Sequence, residues 1–342
     1  MKLLRPASRA FLLLGLTTMA LAFPAQAQTF TVANVLGDAQ VGPSASSLQP
    51  AVVASSHNLP SWGRTGDNSS LTIAFNDQNK FRLLPDSMAE VKTGEGDSAS
   101  DWHRVVSLKI GEAKLTHDSS GSPTVDLKCE TPTAVCGAVG TEFDVIATTG
   151  TYSVLSGQIS VQSSSEEGLS LPSVRGGSVV FAPGKQNTYS HGSFTGTVEL
   201  NGERLHASDA TFTVAKILGG SGETAVRISS GSLGSYGPGS YISDGGSLKP
   251  VESGSPAAEI HPKYLAAAQR EGALSTRSAS YHAVGRSTGE IDSELADAAA
   301  EATKLREELF NRETVREVNR QIESSIIDNT LRNGAGGGGY GR

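Results

Sequence analysis

The chain has 342 residues, of which 37% are hydrophobic and 39 are glycine, and its formal net charge is −7. An acidic balance repels nucleic acid and anionic lipid, and so glycine-rich a chain with so few apolar residues is lean for a compact enzyme of this length. Part of it is therefore expected to be extended, repetitive or unstructured.

Lys2, Arg5 and Arg9 precede the apolar run AFLLLGLTTMALAF and the small-residue site Ala25-Gln26-Ala27. That is the layout of a secretory signal peptide spanning 1–27, with cleavage expected before Gln28. The apolar run, residues 10–23, is shorter than the roughly 18–20 residues of a spanning helix, so no integral membrane span is expected. Losing the three basic residues of the leader moves the net charge from −7 to −10. The expected location is periplasmic or secreted, an oxidising setting where disulfides persist. Cys129 and Cys136 are the only cysteines, and the closest histidine is His117, so a disulfide is expected rather than a metal site. Closing so short a loop stabilises by about 2–3 kcal/mol on a chain-entropy basis.

Residues 28–64 read as an N-terminal β segment and 65–200 as a β domain. Apolar residues recur at every second position, as in half-buried strands. SLTIAFN places Leu71, Ile73 and Phe75 on one face, and VVSLKI does so with Val106, Leu108 and Ile110. In TYSVLSGQISV, Ser156-Gly157 separates Tyr152 and Val154 from Ile159 and Val161, which predicts a tight hairpin. No long amphipathic helix interrupts the region, which excludes a doubly wound α/β fold. The expected class is all-β, an antiparallel sandwich or a β-solenoid-like stack, with a long C-terminal α-helix.

GGSVVFAPGKQNTY and ATFTVAKI read as further strands, and 201–250 as a Gly/Ser-rich β extension. Within 219–256, 23 of 38 residues are Gly, Ser or Pro, consistent with either β loops or a flexible linker. Residues 251–289 are assigned to a linker. From 290 to 332 the chain is rich in Ala, Glu, Leu and Arg and lacks Gly and Pro, which predicts a helix. Ile291, Leu295, Ala298, Ala302, Leu305 and Leu309 follow a coiled-coil spacing until Arg312, and Val315, Val318, Ile322 and Ile326 continue a narrower stripe. The stripe suits either self-association or docking on the chain's own β domain. Residues 333–342 form a Gly-rich tail expected to be disordered.

Catalytic signatures fail on context. Gly285-Arg286-Ser287-Thr288-Gly289 matches G-x-S-x-G, but the last histidine, His282, precedes the serine, and no parallel sheet holds it. Ser287 and Glu290 read instead as a capping box at the start of the helix. The histidines at 57, 103, 117, 191, 206, 261 and 282 show no metal-ligand spacing. Asp67, Asp77, Asp86, Asp97 and Asp101 lack the spacing of a calcium loop and read as turn residues. Gly334 to Gly339 contains G-x-G-x-x-G, yet only three residues follow it. No catalytic, cofactor-binding or metal residues are assigned, and no cofactor is expected.

Four blocks in order carry a family resemblance: GDNSSLTIAFNDQNKFRLLPDSMAEV, VVSLKIGEAKL, TPTAVCGAVGTEFDV and GTYSVLSGQISV. Together they resemble the FecR domain over about 65–200, with Thr131, Pro132, Thr133, Ala134, Gly140, Thr141, Glu142, Phe143, Gly157, Ile159 and Val161 fitting the family pattern. That domain is best known as the periplasmic part of a regulator of iron-citrate transport. The resemblance implies a non-enzymatic protein-binding module of the envelope; the cysteines are not part of it. On that basis Gly137 and Gly140 are expected to permit a bend, Thr141 and Glu142 to cap it, and Phe143 and Val145 to enter the core. The expected partner is a protein or an envelope component, with homo-oligomerisation through 290–332 as a further option and no nucleic acid. Rival expectations are a structural surface or matrix component and a glycan-acting enzyme, the latter disfavoured by an aromatic content of 6%.

Overall fold

The computed structural model describes residues 29–75, 79–94, 104–117, 127–164, 169–185, 187–218 and 222–334. The proposed leader, Asp77, Asp97, Asp101, His103 and residues 335–342 lie outside these ranges.

The described strands join in one continuous sheet, mostly antiparallel, followed by three helices. The alternation read from sequence sets which side faces inward: Leu71, Ile73, Val106 and Leu108 are fully buried. Ala134–Ile146 is the junction strand. Its first half pairs with Leu127–Glu130, which pairs in parallel with Arg104–Ile110 and leads on to Met88–Thr93, Ser61–Thr65 and Ala39–Gly42. Its second half pairs with Glu112–Thr116, leading to Lys80–Leu83, Ser70–Ala74 and Thr29–Leu36. These two arms pack face to face. A Cβ on Gly63 of one arm would lie 3.0 Å from Leu71 and 3.2 Å from Leu83 of the other.

From the junction strand the sheet continues as a meander of long strands, Thr151–Ser163, Ser170–Pro183, Asn187–Leu200, Glu203–Ile217 and Glu223–Leu233, ending in Gly239–Asp244 and Lys249–Pro250. The register slips partway along each successive pair: at Val139/Glu142, Val154/Ile159, Arg175/Ser178, Phe194/Gly196 and Ser208/Thr211. Bulges bend a strand and sharpen its twist. A line of them creases the meander so that its inward side encloses a core continuous with that between the arms.

This crease corrects the hairpin reading of Ser156-Gly157. Thr151–Ser163 is one strand of 13 residues, and Gly157 lies at its bulge. Gly157 has φ +80°, and a Cβ there would fall 2.2 Å from the Gly140 carbonyl oxygen. Only glycine suits both the backbone region and that approach.

The helical part also differs from expectation. Residues 251–289, assigned to a linker, contain α1, Pro256–Ala283, 28 residues long. The single helix over 290–332 is two helices, α2 (Gly289–Leu309) and α3 (Arg312–Gly334), broken at Phe310 and Asn311. The Gly/Ser-rich stretch after residue 219 holds strands Glu223–Leu233 and Gly239–Asp244. Ser255 caps α1 by accepting from the Ala258 N–H, and Pro256 occupies the first turn, where its missing N–H costs nothing.

α1 lies on the outer side of the meander, where the sheet presents small residues. Ala182, Ala215 and Ala225 are buried beneath the helical layer, and a Cβ on Gly272 of α1 would stand 2.6 Å from the Ala182 carbonyl oxygen. The contact is polar as well as close. Asn187 Nδ2 donates to Glu271 Oε2 at 2.8 Å, Tyr264 donates to Asn187 Oδ1 at 2.6 Å, and Ser280 donates to the Ala147 carbonyl at 3.1 Å. α2 then packs on α1, turning Leu295, Ala298, Ala302 and Leu309 inward. The coiled-coil spacing thus serves an interface within the chain.

Candidate functional site

The residues of the TPTAVCGAVGTEF segment build the junction rather than a reactive centre. Thr131 and Ala134 close the turn between Leu127–Glu130 and Ala134–Ile146, with the Thr131 N–H donating to the Ala134 carbonyl at 2.8 Å and the Ala134 N–H to Thr131 Oγ1 at 3.1 Å. Pro132 and Thr133 form the turn itself. Gly140, with φ +57°, starts the bulge. Thr141 then bridges to the next strand: its hydroxyl donates to the Gln158 carbonyl at 2.6 Å and accepts from the Gln158 N–H at 3.1 Å. Its backbone exchanges two hydrogen bonds with His117, at 2.8 and 2.9 Å. Glu142 does not join this cap. It reaches across the pair to Lys114 Nζ at 2.7 Å, which raises the lysine pKa through that hydrogen bond. Phe143 and Val145 are fully buried, as expected, each adding about 1.5–3 kcal/mol of apolar burial.

The expected disulfide is not formed in this structure: Cys129 and Cys136 are unbonded, both buried, and stand directly opposite each other across the same hairpin.

The capping box is corrected. Thr288, not Ser287, occupies the cap position of α2; the Thr288 hydroxyl donates to Asp292 Oδ2 at 2.7 Å, while Ser287 is exposed. Hydroxyls of Ser278 and Thr288, with His282 beside them, hold the Asp292 carboxyl below its ordinary pKa. A Thr–His–Asp grouping results, but Thr288 and Asp292 both approach His282 through Nε2, at 2.9 and 3.4 Å. A relay needs the two partners on different ring nitrogens, so the grouping is a helix-start brace. Among the described residues, no three His, Cys, Asp or Glu side chains converge on a possible metal position.

A cleft of about 620 Å³ lies between Trp62 and Arg64, the turns at Asp67 and Asp86, and the α1–α2 turn at Arg286. Of the five turn aspartates, the structure brings together Asp67 and Asp86. A hydrogen bond that protonated Asp86 donates to the Asp67 carboxylate, aided by burial and by that neighbour's charge, raises the Asp86 pKa against the pull of Arg286. The cleft was not legible in sequence because its walls are about 220 residues apart.

Exposed apolar side chains on α3 are a further feature that reaches outward. Along α3, Val318 is buried and Ile322 packs against the helical core, whereas Ile326 and Ile327 are 60% and 58% exposed. Among the described residues, no helix is long and apolar enough to cross a membrane.

Residues 63–160 match the family model described as "FecR protein". The match starts in Ser61–Thr65 and stops within Thr151–Ser163, so it takes in the junction and the inner strands of both arms, but leaves out the outermost strands, Thr29–Leu36 and Ala39–Gly42, and most of the meander that the resemblance had included. A solved structure of a candidate anti-sigma factor from Parabacteroides distasonis is similar at 16% identity and a TM-score of 0.28, over 35% of this chain and 53% of that one. The chain thus spans about half the length of that protein. No curated protein matches the sequence. The block order and the family match agree on a FecR domain at residues 63–160.

Proposed function

We propose that the protein is an exported, non-enzymatic module of the cell envelope that binds a protein partner through its C-terminal helix, with the FecR domain as its folded body. The carrying observation is the α3 stripe. It begins against the body at Val318 and continues through Ile326 and Ile327, which face solvent. A surface helix normally turns its apolar stripe toward the core, so a stripe whose far end is more than half exposed, at Ile326 and Ile327, offers apolar area to another surface. The leader-like N-terminus supports export, and the FecR match supports a regulatory or signalling setting over an enzymatic one.

Light scattering on the full chain, beside one ending at Phe310, tests the reading together with cross-linking in cells. Loss of a dimer on truncation would identify the partner as a second copy. Monomers in both cases, with a cross-linked protein lost on truncation, would identify a different partner. If truncation changes neither the mass nor the cross-linked set, the reading fails.

A further inference from the structure

The two cysteines supply an inference independent of the partner. Cys129 and Cys136 are matched residues of an antiparallel pair. Such residues have Cα atoms about 4.5 or 5.5 Å apart, and a disulfide takes Cα separations of about 4.4–6.8 Å. Both lie on the inward side of the hairpin at 0% exposure. The pairing register therefore puts them within the Cα range of a disulfide, and burial keeps solvent from them once the sheet is closed.

We propose that Cys129 and Cys136 are joined by a disulfide made while the hairpin is still open to solvent, and that closure of the sheet then seals the bond. The oxidant is a small or protein disulfide. One cysteine thiolate attacks it to give a mixed disulfide, and the second displaces the oxidant's remaining thiolate. Two thiols lose two electrons and two protons, and the oxidant leaves as two thiols.

The order of events follows from burial. In the folded chain burial, with the Glu130 charge adding to it, pushes the Cys129 thiol up to about 12, and burial and then Cys129 raise Cys136 as well. The thiolate is the attacking species, so the folded reduced chain lacks both the reactive form and the access. The bond also has a place to act. Among the described strands, the arm containing Arg104–Ile110 is hydrogen-bonded to the junction strand through Leu127–Glu130 alone, and the cysteines clamp that connection.

The full chain is produced in an oxidising bacterial periplasm and, separately, in a reducing cytoplasm. Each sample is denatured in alkylating reagent and mapped by mass spectrometry. The expected result is a Cys129–Cys136 cross-linked peptide from the first and two alkylated cysteines from the second. The reduced folded chain should resist excess oxidised glutathione for hours, yet form the bond when unfolded and refolded in it. Two alkylated cysteines in the periplasmic sample would overturn the bond. Oxidation of the folded reduced chain as rapid as that of the unfolded chain would overturn the sealing order.

Discussion

Asn187→Leu isolates the polar contact that seats α1. Asn187 is 1% exposed and serves two partners at once, donating to Glu271 and accepting from Tyr264. Leucine keeps the branched four-heavy-atom skeleton of asparagine, so the shape of the site is largely retained while both hydrogen bonds vanish. A bond to a carboxylate contributes about 1.5–3 kcal/mol and a neutral one about 0.5–1.5 kcal/mol, and each abandoned partner sits where water does not replace the loss. The expected destabilisation is about 2–4 kcal/mol. Equilibrium urea unfolding measures it, and hydrogen exchange locates it, with amides of α1 near Tyr264 and Glu271 losing protection before those of the junction strand. A triple variant, N187L/E271L/Y264F, should recover part of the loss, since none of these three side chains then strands a polar group of another. A loss below about 0.5 kcal/mol for N187L, or one spread evenly over the whole chain, would refute the reasoning.

Three further outcomes follow from named positions. His261 is fully buried, its Nε2 donates to the Tyr241 carbonyl at 3.1 Å, and burial lowers its pKa to about 4. Because the unfolded chain takes up a proton near pH 6.5 and the folded chain only near 4, this group costs nothing above 6.5, and stability falls as pH drops from 6.5 toward 4, by about 3 kcal/mol in full. A pH series of urea midpoints should show that slope, and H261Q should flatten it; equal slopes would contradict the burial. Gly157→Ala should cost about 2 kcal/mol or more, because it adds a clash with the Gly140 carbonyl to a left-handed backbone. Gly176→Ala, at φ +59° with open space around it, should cost only about 1–2 kcal/mol, and thermal unfolding that fails to separate the two would undercut the crease. I326D/I327D should leave the unfolding midpoint within about 0.5 kcal/mol, as exposed positions do, while abolishing the α3-dependent association seen by light scattering or cross-linking.

The strands were legible because their burial alternates with the local sequence. Leu71, Ile73, Val106 and Leu108 needed no tertiary information to be placed inward. Gly157 was misread because a Ser-Gly pair inside a period-two pattern fits a turn or a bulge equally well; the choice is made by the Gly140 carbonyl, 17 positions earlier in the chain. α1 escaped notice because its buried stripe turns polar. After Ala268 the inward positions are Glu271, Gly272, Thr276 and Ser280, and Pro262 lies within the helix. Its ends were nonetheless signalled, by Ser255-Pro256 at the start and by Gly285, with φ +70°, after the finish. Once α1 is missing from a sequence reading, the stripe on α2 has no visible partner and resembles a coiled-coil seam. The α3 stripe was read correctly as apolar, but only the fold shows that Val318 is buried while Ile326 is more than half exposed.

The most direct measurement places a photoactivatable cross-linking residue at Ile326, and separately at Gly202, an exposed turn position with open space around it, in the full chain in its native cells. A discrete protein adduct from position 326 and none from 202 is the expected result, with an adduct of twice the chain's mass marking a second copy. No adduct from position 326, or the same adducts from both positions, would contradict α3 as the surface through which this protein acts.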